Sequence, residues 1–120
     1  MARKPPSHLY GHSITLRVCT GVDTFQNPIW REYAVEHVNL QASTGTTVTA
    51  ANTDASMRSL MFVDSLYSSP SLDWFALKAE SEAAGKRLQV LHGNEVYTVE
   101  AILKIEDEYC RIDHWEVEMV

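Results

Sequence analysis

The chain is short of almost everything that marks a dedicated chemistry. It has two cysteines in 120 residues, Cys19 and Cys110, which is too few for a disulfide scaffold. They lie far apart and could pair only if two strands brought them together, so free thiols are expected. The five glycines are scattered singly, which excludes a Gly-rich phosphate loop. There is no Gly-x-Ser-x-Gly elbow and no Cys-x-x-Cys pair. No apolar run approaches the ~18 residues of a membrane span. Cations are scarce: 10 Lys and Arg stand against 16 Asp and Glu, a net charge of −6. General binding to nucleic acid needs clustered cations to displace counterions, so that class is disfavoured. An acidic wall would instead let DNA slide past without sticking. The basic start, Met1-Ala2-Arg3-Lys4-Pro5-Pro6, is followed by no apolar stretch. It does not read as a secretory signal, and the expected place is inside a cell or a particle assembled there.

What is present is strand. At 120 residues with 45% hydrophobic content, one domain with an adequate core is expected over 1–120. Residues 1–12 read as a polar, Pro-containing arm and 13–120 as the body. Ile14, Leu16 and Val18 alternate against Ser13, Thr15 and Arg17. Gly21 to Pro28 reads as a turn. Ile29 to Leu40 is extended again, with a bulge or bend expected between Tyr33 and Val38, where the period slips. Residues 41–56 hold Thr, Ala, Ser, Asn and Gly without a period, and read as a long loop. Arg58 to Tyr67 returns to strand. Residues 73–84 are the one good helix, with Ser71 or Asp73 as its cap and Gly85 as its stop. His92-Gly93-Asn94-Glu95 reads as a hairpin turn, followed by an alternating strand to Ile105.

The last eight residues carry the clearest pattern. Trp115, Val117 and Met119 fall on one side of an extended chain; His114, Glu116 and Glu118 fall on the other. The first set is expected to be buried, and the second to face water or a neighbouring subunit. The pattern runs to Val120, so the C-terminus is expected to be tied into a sheet.

Candidates for chemistry are each outweighed by a plainer reading. His8 and His12 are spaced as helix ligands would be, but they flank Gly11 in a Pro-rich arm. Cys19, Cys110 and His114 have no anchoring Cys pair for zinc. Glu106, Asp107 and Glu108 lack the alternating ligands and Gly of a calcium loop. Asp64, Ser65, Ser68 and Ser69 have no base placed beside them by His92 or His114. Trp30, Trp74 and Trp115 with Tyr67, Tyr97 and Tyr109 lack the interleaved cations of a base-stacking platform and read as packing. No catalytic, cofactor or metal site is expected.

Three segments do resemble a known family. Leu60-Met61-Phe62-Val63-Asp64 followed by Ser68-Ser69-Pro70 is similar to the "apolar strand, Asp, Ser-x-Pro" segment of the minor capsid protein family of tailed phages and prophages of Gram-positive bacteria. Gly93-Asn94-Glu95-Val96-Tyr97-Thr98-Val99 resembles its "Gly-x-Glu-Tyr-Thr-Val" hairpin. Asp113-His114-Trp115-Glu116-Val117-Glu118-Met119-Val120 resembles its "His-His-Tyr-Glu-x-Glu-Leu" ending. The start, Leu9-Tyr10-Gly11-His12-Ser13-Ile14-Thr15-Leu16, fits its first strand less closely. The chain departs from the pattern at Asp113, where the family has His, and in the length of the Ala/Glu segment at 73–84.

The resemblance implies a head-completion or head-closure protein. Such proteins are small β-barrels forming a homo-oligomeric ring under the portal and adaptor, a stopper that closes the DNA exit channel and offers a surface to the tail. Residues 43–56 would then be the gating loop, with Thr44, Thr46, Thr47, Val48 and Thr49 favouring extended pairing once copies converge. Leu9, Tyr10, Glu116 and Glu118 are candidate subunit-interface residues. No Lys or Arg lies between Gln41 and Met57, so such a loop would block DNA without gripping phosphate. The expected fold is a mainly-β barrel or sandwich with one short helix. The alternatives are another ring of the same neck, such as the tail terminator, or a monomeric β-barrel module for a peptide or small ligand.

Overall fold

Alternating side chains give each strand one apolar face, and such faces are hidden most simply when the sheet curls onto itself. In the computed structural model, which describes residues 5–41 and 59–120, that is what the strands do. The elements are β1 (His12–Val22), β2 (Pro28–Gln41), β3 (Ser59–Asp64), α1 (Trp74–Ala83), β4 (Gln89–His92), β5 (Glu95–Glu106) and β6 (Ile112–Met119). The six strands close into an antiparallel barrel in the order β1-β2-β3-β6-β5-β4. The chain is thus a mainly-β barrel with one short helix. Its interior is filled by side chains, among them Leu16, Val18, Val35, Val38, Met61, Val90, Val99, Val117 and Met119.

The local chemistry explains each boundary. Asp23 ends β1: its Oδ1 accepts from Phe25 N at 2.8 Å and Asn27 N at 3.0 Å. The β5–β6 turn repeats this with Asp107, which accepts from Tyr109 N at 2.8 Å and Arg111 N at 3.0 Å. These bonds hold the Asp107 carboxyl below its ordinary range, the bond from the Arg111 amide most of all. In both turns a non-glycine residue takes positive φ, Gln26 at 65° and Cys110 at 60°. The expected bend in β2 is a bulge at His37, φ 59°, where the register with β1 shifts.

The antiparallel order sorts the connections between two ends of the barrel. One end carries the β1–β2 turn, the β5–β6 turn and the segment 65–88 with α1. The opposite end carries the N-terminal segment, the end of β2 at Gln41, the start of β3 at Ser59, the Gly93-Asn94 turn and Val120. β3 and β4 sit across the barrel from one another, so α1 spans the first end between them. Trp74 is fully buried in the core. Asp73 caps the helix through Ala76 N at 3.2 Å. Gly85, φ 100°, stops it, and Lys86 N reaches back to Ser81 O at 3.2 Å. Ser81 Oγ accepts from Cys19 N at 3.0 Å and donates to Lys86 O at 2.7 Å, tying the helix to β1 and to its own end.

The C-terminus is held in the sheet. Val120 and Thr98 exchange two backbone hydrogen bonds of 2.9 Å. Among the described residues, no helix is long and apolar enough to cross a membrane.

Candidate assembly surface

The C-terminal strand has a dry inner face, and its outer face is dry as well. Trp115, Val117 and Met119 point into the barrel and are buried. His114 and Glu116, expected to face water or a neighbouring subunit, are only 3% and 2% exposed. The reason lies in the register. Glu116 stands between Phe62 of β3 and Leu103 of β5, and Phe62 is itself 1% exposed. Glu116 is therefore a structural residue of its own chain and is withdrawn as an interface residue. Glu118, further along the same face, stays half-buried.

A buried carboxylate needs partners. His114 Nε2 lies 2.9 Å from Glu116 Oε2, and His114 Nδ1 lies 2.7 Å from Asp113 Oδ2. The ring thus bridges two carboxyl groups, one buried and one partly exposed. The His114 ring also tilts against Phe62, centroids 5.8 Å apart. In sequence the pair was visible as two polar residues two positions apart on one strand face. The signal that it is buried was Phe62, on the outward phase of β3.

The arm is a second correction. Leu9 is exposed at 46%, but Tyr10 is buried at 4%. Its ring meets Tyr67 edge-on, centroids 5.7 Å apart. Residues Ser7–Leu9 form a 3-10 turn, and Asn39 Nδ2 donates to Leu9 O at 2.7 Å. The segment is docked on the outer side of its own β2. Apolar Tyr10 had a partner in its own chain, which removes it as an interface residue and leaves Leu9.

The Asp64 to Pro70 motif acts as a seal. Asp64 Oδ1 accepts from Leu66 N at 2.8 Å. Ser68 Oγ accepts from Asp64 N at 2.9 Å and donates to the carbonyl of His37 at 2.5 Å. Ser69 pairs with Glu36 through two backbone bonds, and the Ser69–Pro70 peptide is cis. The segment thereby closes the gap where β2 bends away from β3. Ser68 is thus engaged with backbone, and His92 lies at the other end of the barrel. Beneath the seal a cavity of about 70 Å³ is lined by Val63, Leu72, Trp74 and Trp115. That is far below the ~300 Å³ at which ligand pockets begin.

The two cysteines stay apart. Cys19 is buried with its thiol toward the carbonyls of Gly21 and Ala84, and Cys110 is exposed; both are free. His12 Nδ1 accepts from Leu40 N at 3.1 Å, and its ring lies edge-on to His92. Among the described residues, no group of three His, Cys, Asp or Glu could hold a metal ion. Trp74 and Trp115 are core, while Trp30 lies under Arg17 and Tyr109 under Arg111.

Thr44, Thr46, Thr47, Val48 and Thr49 lie outside the described residues. The positions that flank them are described: Gln41 pairs with Leu60 at the rim of the barrel. No family model, curated protein or solved structure matches this chain.

Proposed function

We propose that the chain is a structural virion protein of a tailed-phage head–tail junction. It forms a homo-oligomeric ring under the portal and adaptor, closes the DNA exit channel after packaging and presents a surface to the tail. The protein is assembled in the bacterial cytoplasm and works without catalysis, cofactor or metal. The observation that carries this reading is the order of three motifs, the Asp64–Pro70 segment, the Gly93 hairpin and the His114 ending, along a small closed barrel.

Physical features support the role. The barrel interior is occupied by side chains, which favours a building block over a module that takes a ligand inside. The net charge of −6 lets DNA pass without specific binding. The 43–56 excursion, with Thr44, Thr46, Thr47, Val48 and Thr49, is the gate in this reading. Because Gln41 and Leu60 are paired at its base, the excursion can be shortened without unpairing β2 from β3.

Electron microscopy of the protein added to portal–adaptor heads tests the reading. A ring below the adaptor is expected. A deletion of 45–52 should still join the neck but let packaged DNA leak. Stable, filled heads with that deletion would remove the gating role; absence of any ring, on heads or alone, would remove the neck role.

A further inference from the structure

Barrels abolish sheet edges, but this one leaves an edge open. Among the described residues β3 pairs with β2 only over Val38 to Gln41, so the earlier half of β2 has β1 on one side and no described strand on the other. The direction of its peptide groups follows from two anchors. Glu36 exchanges both backbone bonds with Ser69, so its N–H and C=O point away from β1. Cys19, opposite Trp30, sends its N–H away from β2 to Ser81. The register between these anchors is unbroken, so every second residue shares the direction. Trp30, Glu32 and Ala34 therefore present N–H and C=O groups outward. Glu32 and Ala34 are exposed. Pro28 bounds this edge at one end and the Ser69 bridge at the other. It is one of the open strand edges among the described residues.

We propose that this edge pairs with the same edge of a second copy, antiparallel about a two-fold axis centred on Glu32. An open edge is a template for another strand. The same edge of a second copy matches it in length and ends at the same Pro28. The side chains fit that register and no shift is needed. Trp30 falls opposite Ala34 of the second copy, a large residue against a small one. Arg31 falls opposite Tyr33, on the face where Arg31 already stacks over its own Tyr33 at 5.4 Å. The two Glu32 side chains meet at the axis, a like-charge contact that each one's own Arg17, at 2.9 Å, offsets. The guanidinium of Arg31 is likewise satisfied by Glu80, at 2.9 and 2.6 Å, so the joint buries no unpaired charge. Six backbone hydrogen bonds would form across it. The pairing does not rest on the neck reading, because it is argued from the strand edge alone.

Sedimentation equilibrium and amide exchange on the full chain test it. The protein should dimerise with rising concentration, and the amides of Trp30, Glu32 and Ala34 should exchange more slowly as it does. Ala34→Pro removes an N–H that is unpaired in the single copy, a change tolerated at a sheet edge. Symmetry removes two bonds at once, so self-association should weaken roughly thirtyfold. Ala34→Glu keeps the N–H and adds carboxylates beside both Glu32 side chains; it should weaken the dimer too. Circular dichroism establishes that each variant is folded. A protein monomeric at every concentration, a dimer indifferent to both variants, or concentration-independent exchange at those amides would each overturn the proposal. Rings with freely exchanging amides at Trp30, Glu32 and Ala34 would overturn it while leaving the neck role standing; dimers without rings would do the reverse.

Discussion

The two faces of β6 look like opposites in sequence and behave alike in the fold. Trp115, Val117 and Met119 are apolar and buried inside the barrel; His114 and Glu116 are charged or chargeable and buried outside it. A two-residue period therefore fixes which side chains share a face, but not whether that face meets water. What decides solvent is what lies beside the strand, here the buried Phe62 of β3. The inner face is held by volume, and the outer by hydrogen bonding between polar side chains.

The two modes fail differently. Trp115→Ala empties a large core site under Phe75, whose ring packs on it edge-on at 5.1 Å. Denaturant unfolding should show a loss of about 3–5 kcal/mol. A variant melting within a degree of the parent would mean the inner face is not core. His114→Ala leaves Glu116 buried without its hydrogen-bond partner, and should cost about 1–3 kcal/mol. Replacing the pair together, His114→Leu with Glu116→Met, should recover most of that loss, since no buried polar group is then left without its partner. If the double variant is as unstable as the sum of the singles, the pair is not what stabilises the outer face.

Smaller effects refine the contrast. Ser68→Ala cuts the seal beside this face, freeing Asp64 N and the His37 carbonyl. A loss of about 1–2 kcal/mol is expected by thermal or urea unfolding. The smallest effect belongs to a carboxylate paired in the open. Hydrogen bonds from Arg31 hold the Glu80 carboxyl below its ordinary value of 4.5, against a weaker opposing effect of burial. A lowered native value means the contribution is present above pH 4.5 and lost as pH falls through the lowered one. Glu80→Gln should flatten a shallow acid-side decline in stability. An unchanged pH profile would mean this surface pair contributes nothing.

Local signals carried much of the fold into the sequence. The hairpin at Gly93-Asn94, the Asp73 cap, the Gly85 stop and the slip before Val38 all correspond to features of the barrel, because each depends on backbone geometry over a few residues. The inner row of β6 was legible for the same reason. The outer row was not, because the burial of Glu116 depends on residues some fifty positions away, Phe62 above all. Tyr10 failed similarly: its partner Tyr67 is brought near only by the closing of the barrel. The open half of β2 could not be read at all, since an edge is defined by the strand that is missing beside it.

Closure joins β1 to β4, with Leu16 opposite Val90. The β1–β2 hairpin can form as soon as its own residues are available. The strand that shuts the barrel against β1 arrives only after β3 and α1 have been made. Contacts so distant in sequence slow folding and prolong the life of partly formed sheets. During that interval the hairpin has two open edges, and only one of them is later covered by α1 and β4. Crowded nascent chains would therefore meet first through their N-terminal hairpins, and the yield of soluble protein should depend on how fast the second half of the chain follows the first.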